Sequence, residues 1–137
     1  MLYDDQNIFA RIIRNELPAI KVYEDEQVLA FMDIMPQAEG HTLVIPKTPA
    51  VTLLDLPPDA AAYTIQIVQK VAQAMKVALD AQGIVLMQLS GASAGQTVPH
   101  VHFHLIPSSV RELGKHALHM GDQEKIKALA ERIKAEL

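Results

Sequence analysis

Apolar positions change their period several times along the chain, and each change marks an element. In "NIFARIIRNELP", Ile8, Phe9, Ile12 and Ile13 form a stripe at helical spacing. Asn7 suits the N-cap of this short helix and Pro18 its stop. "KVYEDEQVLAFMDI" alternates instead, which predicts two short strands around the acidic turn Glu24-Asp25-Glu26. "HTLVIPK" reads as a further strand, led in by Gly40 and stopped by Pro46, with His41, Leu43 and Ile45 on one face. From Asp55 to about Gln82 the helical period returns: Ala61, Ile65, Val68, Ala72, Met75 and Leu79 predict one buried stripe. Pro57 and Pro58 suit the first turn of that long helix, and Gly83 its C-terminal cap. "IVLMQL" is apolar enough to predict a central strand, and the small-residue stretch "SGASAGQT" separates it from "HVHFHLIP". The tail "GDQEKIKALAERIKAEL" predicts an amphipathic helix carrying Ile126, Leu129, Ile133 and Leu137, with Asp122 as its cap.

Strands in runs, rather than alternating one by one with helices, predict an α+β fold with a largely antiparallel sheet. At 137 residues, with no internal repeat, low-complexity tract or linker, a single domain is expected over the whole chain. A chain of that length hides roughly two-thirds of its unfolded surface, enough for a core without staples. There is no cysteine, which excludes disulfides, thiolate zinc sites and cysteine nucleophiles. The start "MLYDDQNIFA" lacks a basic segment followed by an apolar one, and no apolar run approaches the ~18 residues of a membrane span. A cytoplasmic protein with no membrane partner is therefore expected. The formal net charge is −4, and Lys and Arg form no long cluster. Binding a nucleic-acid polymer requires many phosphates to be neutralised, so that partner is not expected, whereas a small phosphorylated ligand needs only a few aimed donors.

Three of the six histidines, His100, His102 and His104, stand at alternate positions. In a strand they would form one polar row about 6.7 Å apart, with Val101, Phe103 and Leu105 packing behind. Zinc sits roughly 2.0–2.1 Å from each imidazole nitrogen. Since His100 and His104 would lie roughly 13 Å apart, one ion does not easily collect all three. A two-histidine metal site would need His41 or Asp33 as well. A structural row without chemistry and a pH-sensing cluster also fit the spacing alone. In the catalytic reading, neutral imidazole acts as nucleophile while a neighbour donates to an anion. Ser90, Ser93, Ser108 and Ser109 are poorer nucleophiles, because none lies in a Gly-x-Ser-x-Gly elbow.

With its preceding loop, "GQTVPHVHFHLIP" resembles the signature of the histidine triad (HIT) nucleotide-binding family, His-φ-His-φ-His-φ-φ with φ apolar. "IFARIIRNELPA", "VYEDEQVLAFMDI" and "GHTLVIPK" follow the same family in the same order, so the likeness spans most of residues 7–107 and is closest to the Hint-like branch. The resemblance implies a five-stranded antiparallel sheet with a long helix packed on it, a short N-terminal helix, and a tail with a C-terminal helix over about residues 108–137. It implies hydrolysis or transfer at a nucleoside 5′-phosphoramidate or related nucleotidyl bond, through a covalent nucleotidyl-histidine on His102. His104 and His100 would orient that nucleophile and contact phosphate oxygens, and His41 would support them from the neighbouring strand. By the same resemblance Gly95, Gln96 and Thr97 form the phosphate-contacting turn, with the Thr97 hydroxyl toward the leaving group. Asp33 would accept the ribose hydroxyls, while Ile8, Phe9, Ile12, Phe31 and Ile34 would line the base pocket. A purine nucleoside monophosphate or its conjugate is the implied partner, no cofactor or metal is required, and relatives form two-fold homodimers through the long helix and a sheet edge.

The chain departs from the family pattern at three places. Leu89 stands where an asparagine often contacts ribose and phosphate, and losing a bond to a charged group costs roughly 1.5–3 kcal/mol. Ala10 and Pro49 offer no ligands for the zinc some relatives bind near these positions. Pro99 replaces a larger residue and removes a backbone donor, which suggests a strand start or edge. Lys47 is a candidate phosphate contact or a solvated strand end; for Arg111, His116 and His119 the sequence is weakly informative. Two other readings stay open: a nucleotide-binding module acting through a protein partner, favoured by Leu89, and a metal-dependent hydrolase built on His100, His102 and His41.

Overall fold

The computed structural model describes residues 2–113 and 120–137. In chain order the elements are α1 (Ile8–Ile13), β1 (Lys21–Glu24), β2 (Val28–Met32), β3 (Thr42–Pro46), α2 (Pro58–Leu79), β4 (Val85–Gln88), a 3-10 turn (Ala92–Ala94), β5 (Phe103–Ile106) and α3 (Gln123–Lys134). The five strands make one sheet in the order β1-β2-β3-β5-β4, every neighbouring pair antiparallel. The α+β expectation is met.

Both faces of the sheet are covered, which is why β2, β3 and β5 are buried at every residue rather than at alternate ones. On one face Val28, Ala30, Met32, Val44, Phe103 and Leu105 pack against Val68, Val71 and Met75 of α2 and Ile126, Leu129 and Ile133 of α3. On the other, Leu29, Phe31, Leu43 and Ile45 pack against Phe9 and Ile12 of α1. Asn7 caps α1 as expected, its side chain accepting the Ala10 N–H at 2.9 Å. Asp122 likewise caps α3, accepting from Glu124 and Lys125.

Four details differ from the sequence reading. The segment "IVLMQL" supplies an edge strand rather than a central one, because β5 returns between β3 and β4; Leu86 is accordingly 47% exposed. The buried stripe of α2 runs through Thr64, Ile67, Val68, Val71, Ala74 and Met75, so Ile65 is 44% exposed. The stripe predicted from spacing was one rim of a wider buried face, which a helix wedged between a sheet and α3 requires. Gly83 does not cap α2: Asp80 takes the left-handed conformation at φ 48°, and the Ala81 N–H closes on the Lys76 carbonyl at 3.1 Å. A short polar side chain tolerates that conformation better than most. Helix α1 likewise stops well before Pro18, at Ile13, with Asn15 at φ 61°.

Candidate active site

The histidine row is not one regular strand. Only His104 belongs to β5; His100 and His102 precede it, in a segment whose Val101 N–H donates to the Ala50 carbonyl at 2.9 Å. Exposure is 0% at His100, 5% at His102 and 9% at His104. Each ring is held by different partners, and those partners determine where its protons sit.

Nδ1 of His102 lies 2.6 Å from the His100 carbonyl oxygen. A carbonyl only accepts, so Nδ1 carries the proton and the lone pair is left on Nε2. Among the described residues nothing bonds to that Nε2. Phe9 meets the same ring edge to face, with centroids 4.9 Å apart, and His104 stands against it at 4.9 Å. Burial lowers the pKa of His102 below its ordinary 6.5, opposed in part by the His100 carbonyl.

His104 is fixed by a relay. The Gln37 backbone N–H donates to Nδ1 of His41 at 3.1 Å, so His41 carries its proton on Nε2. That Nε2–H points to Nδ1 of His104 at 3.0 Å, with Asp33 Oδ2 at 3.5 Å. His104 therefore keeps its own proton on Nε2, as a donor. Burial, then the neighbouring His104 and His102, pushes His41 down to about 3. Burial and His102 push His104 down to about 4. The cluster is thus neutral near pH 7, with one imidazole presenting a lone pair and the next an N–H. This pairing suits attack on an electrophile whose oxygens need a donor.

His100 contributes its backbone more than its ring. Its Nε2 bonds the Pro46 carbonyl at 2.8 Å and its Nδ1 the Tyr3 hydroxyl at 2.6 Å. Burial lowers its pKa to about 4, against the opposing Pro46 carbonyl. With both nitrogens engaged, the trio His100, His102 and His41 does not assemble as a metal site. A different trio, Asp33, His41 and His104, brings one ligand atom each to within 4.8 Å of the others. The His41–His104 hydrogen bond and the 3.5 Å approach of Asp33 to His41 give that spacing.

Asp33 lies at the end of β2, where its Oδ1 accepts the Met35 N–H at 2.8 Å. Burial raises its pKa. Beside it a cleft of about 260 Å³ opens between Pro36, Gly40 and His41 on one side and Gly121, Lys125 and Ile126 on the other. The C-terminal segment thus borders the site, which the sequence did not indicate.

The proposed base-pocket residues divide. Phe9, Ile12 and Phe31 are core residues, Phe9 also stacking edge-on against Phe31 at 5.3 Å. Ile8 and Ile34 are 48% and 44% exposed, open to a ligand.

The loop before the histidines departs from expectation. The Gly95 N–H closes the 3-10 turn on the Ala92 carbonyl at 3.0 Å, and the Gln96 N–H bonds the Gly91 carbonyl at 3.1 Å. The Gln96 side chain accepts from Gly91 N–H at 2.8 Å and donates to the Val51 and Val98 carbonyls at 2.7 and 2.9 Å. Gly95 and Gln96 therefore shape the loop instead of offering those donors to a phosphate, whereas Thr97 is exposed at its end. Gly95 is needed for its φ of +108°; a Cβ there would sit 3.4 Å from Leu89 Cδ1. Leu89 thus packs the loop from below. Lys47 pairs with Glu24 at 2.8 Å, and Arg111 is exposed. His116 and His119 lie outside the described residues. Tyr3 and Gln37 were missed: Tyr3 acts across 97 positions of sequence, and Gln37 through a loop bond to His41, four residues on, that no periodicity announces.

An antiparallel five-stranded sheet presenting this histidine cluster at β5, beside a supporting histidine at the head of β3, defines the histidine triad class. Residues 14–110 match the HIT domain family, and the chain belongs to it. It is 46% identical over 100 residues to an uncharacterised HIT-like protein of Methanocaldococcus jannaschii, covering 73% of this chain and 77% of that one. It is 36% identical over 136 residues to the adenosine 5′-monophosphoramidase of Schizosaccharomyces pombe, covering 95% and 97%. A solved HIT-like protein of Bartonella henselae, described as involved in cell-cycle regulation and carrying an unknown ligand, superposes with a TM-score of 0.92 at 47% identity over the full length of both chains. Among the described residues no helix is long and apolar enough to cross a membrane.

Proposed function

We propose that this protein hydrolyses purine nucleoside 5′-phosphoramidates or related nucleotidyl conjugates through a covalent intermediate on His102. The observation that carries the reading is the 2.6 Å bond from His102 Nδ1 to the His100 carbonyl, which leaves Nε2 as an uncharged nucleophile. The phosphoramidase named among the relatives supports the substrate class.

In the first step Nε2 of His102 attacks the α-phosphorus. A phosphorus–histidine bond forms as the bond to the substrate amine breaks, and the amine leaves with a proton taken from solvent, which the attacking water of the second step gives back. Water then attacks the same phosphorus, the histidine bond breaks, and the nucleoside monophosphate is released. The Nε2–H of His104 holds a phosphate oxygen as charge builds on it. Asp33 receives the ribose hydroxyls, Thr97 faces the leaving group, and Ile8 and Ile34 flank the base over the Phe9–Phe31 pair. No step uses a metal. As in the two-fold assembly expected for the family, a second copy joins through α2 and the open β4 edge, where Leu86 is exposed; sedimentation at micromolar concentration tests this.

The test of the chemistry is turnover of adenosine 5′-phosphoramidate in chelator, by the native protein and by His102→Ala. Release of AMP by the native chain, lost in the variant by several orders of magnitude, is expected. Equal release by both sinks the mechanism. AMP binding without turnover by the native chain points to the binding module, the reading that Leu89 favours.

A further inference from the structure

The N-terminal segment reaches the histidine cluster twice. Phe9 packs edge-on against the His102 ring, and Tyr3 places its hydroxyl 2.6 Å from Nδ1 of His100, across 97 positions of sequence. The two rings of the second pair meet edge to face with centroids 5.6 Å apart. The segment carrying Tyr3 is itself tied down: Asn7 bonds the Asp4 carbonyl through its side chain at 2.8 Å and caps α1, and Arg14 reaches the Asp5 carbonyl at 2.7 Å.

The protons again decide the roles. Nε2 of His100 is 2.8 Å from the Pro46 carbonyl oxygen, which only accepts, so the ring carries its proton there. Its Nδ1 then presents a lone pair, and the Tyr3 hydroxyl must be the donor. His100 is fully buried, so without that phenol its Nδ1 would be an unpaired acceptor in the core. Moving the proton to Nδ1 would turn a lone pair against the Pro46 carbonyl. Either change disturbs the residue whose own carbonyl grips His102 Nδ1 at 2.6 Å.

We propose that Tyr3 is a positioning residue of the triad: it locks His100 as the Nε2–H tautomer, anchored to β3, and thereby holds the carbonyl that keeps the lone pair of His102 on Nε2. The kinetic part rests on the function proposed above; the tautomer part does not.

The experiment is Tyr3→Phe in the full chain, which keeps the ring and removes the donor, with Tyr3→Ala beside it. Nitrogen-15 NMR of the imidazole rings reads the tautomers directly. The native protein is expected to show His100 protonated on Nε2 and His102 on Nδ1. In Tyr3→Phe the His100 Nδ1 resonance moves to that of an acceptor without a donor, and His102 loses its single tautomer. With adenosine 5′-phosphoramidate, kcat falls about tenfold, the worth of one such hydrogen bond, while KM is little changed. Unaltered ring signals in Tyr3→Phe overturn the proposal, whatever kcat does. So does an altered His100 signal with His102 and kcat as in the native chain, or a loss confined to Tyr3→Ala, which would make Tyr3 a packing residue. If the native protein turns over no phosphoramidate, the proposed function fails, and the His102 tautomer in Tyr3→Phe still decides the role of Tyr3.

Discussion

Replacing His41 by phenylalanine removes the relay behind His104 while keeping a flat ring in a fully enclosed position. Two hydrogen bonds disappear, from the Gln37 N–H and to His104 Nδ1. Gln37 is half-buried, and its N–H can turn to water. His104 Nδ1 has no such recourse, and a buried acceptor left unpaired costs about 1–3 kcal/mol. The bond from His41 is what favoured the proton on Nε2; without it the proton can move to Nδ1 and bond the Asp33 carboxylate, which stands within 4.8 Å, at a gain of similar size. If His104 must donate from Nε2 to a phosphate oxygen, a penalty of that size lowers kcat about tenfold to a hundredfold. Urea unfolding measures the first quantity and AMP release from adenosine 5′-phosphoramidate the second. His41→Gln, whose amide can donate to Nδ1, should recover part of both. Native turnover in a folded His41→Phe protein would refute the relay, as would an equal loss in His41→Gln.

Acid pH should weaken the fold through the same residues. His41, His100 and His104 have folded pKa values of about 3, 4 and 4 against an ordinary 6.5, and His102 is lowered too. The unfolded chain binds the extra protons, so their contribution is complete above pH 6.5 and is lost as pH falls from there toward 4 and 3, by up to about 1.4 kcal/mol per pH unit for each histidine. Asp33, raised by burial, acts the other way, since its contribution is present below its ordinary 3.8 and lost as pH rises through its folded value; denaturant midpoints that rise with acidity below pH 6.5 would contradict the balance. Asn7→Ala should cost about 0.5–2 kcal/mol by uncapping α1, read by thermal unfolding, and should loosen Phe9 from His102. Gly40→Ala should destabilise the protein by several times the effect of Gly83→Ala, because Gly40 has φ +92° and its new Cβ would fall 2.4 Å from Leu79 Cδ1, whereas nothing lies within 4 Å at Gly83; equal midpoints would refute that contrast.

Much of the architecture was legible because burial imposes a period. The α1 stripe with its Asn7 cap, the paired strands around Glu24-Asp25-Glu26 and the Asp122-capped tail helix all follow from local rules that this chain obeys. The edge position of β4 was not legible. Its composition suits a central strand, and only the return of β5 beside β3 excludes it from the middle. At the site, alternation correctly marked the histidines as a group but not their geometry, since His100 and His102 lie outside the strand whose period was assumed.

By itself the sequence determined which side chains are available for chemistry here: imidazoles without thiols, an acidic residue at the end of β2, and apolar residues to bury them. It also determined the family, since the motifs are local and ordered. Tertiary structure alone decided what each imidazole is. A neutral histidine has two nearly equivalent tautomers, and the choice falls to whatever each nitrogen meets. The Pro46 carbonyl and Tyr3 hydroxyl meet His100, the His100 carbonyl meets His102, and the Gln37 amide and His41 fix His104. Most of these partners lie tens of residues away along the chain. Spacing carries no record of them, and they leave one ring with an open lone pair, one with an N–H to donate and one held as a support.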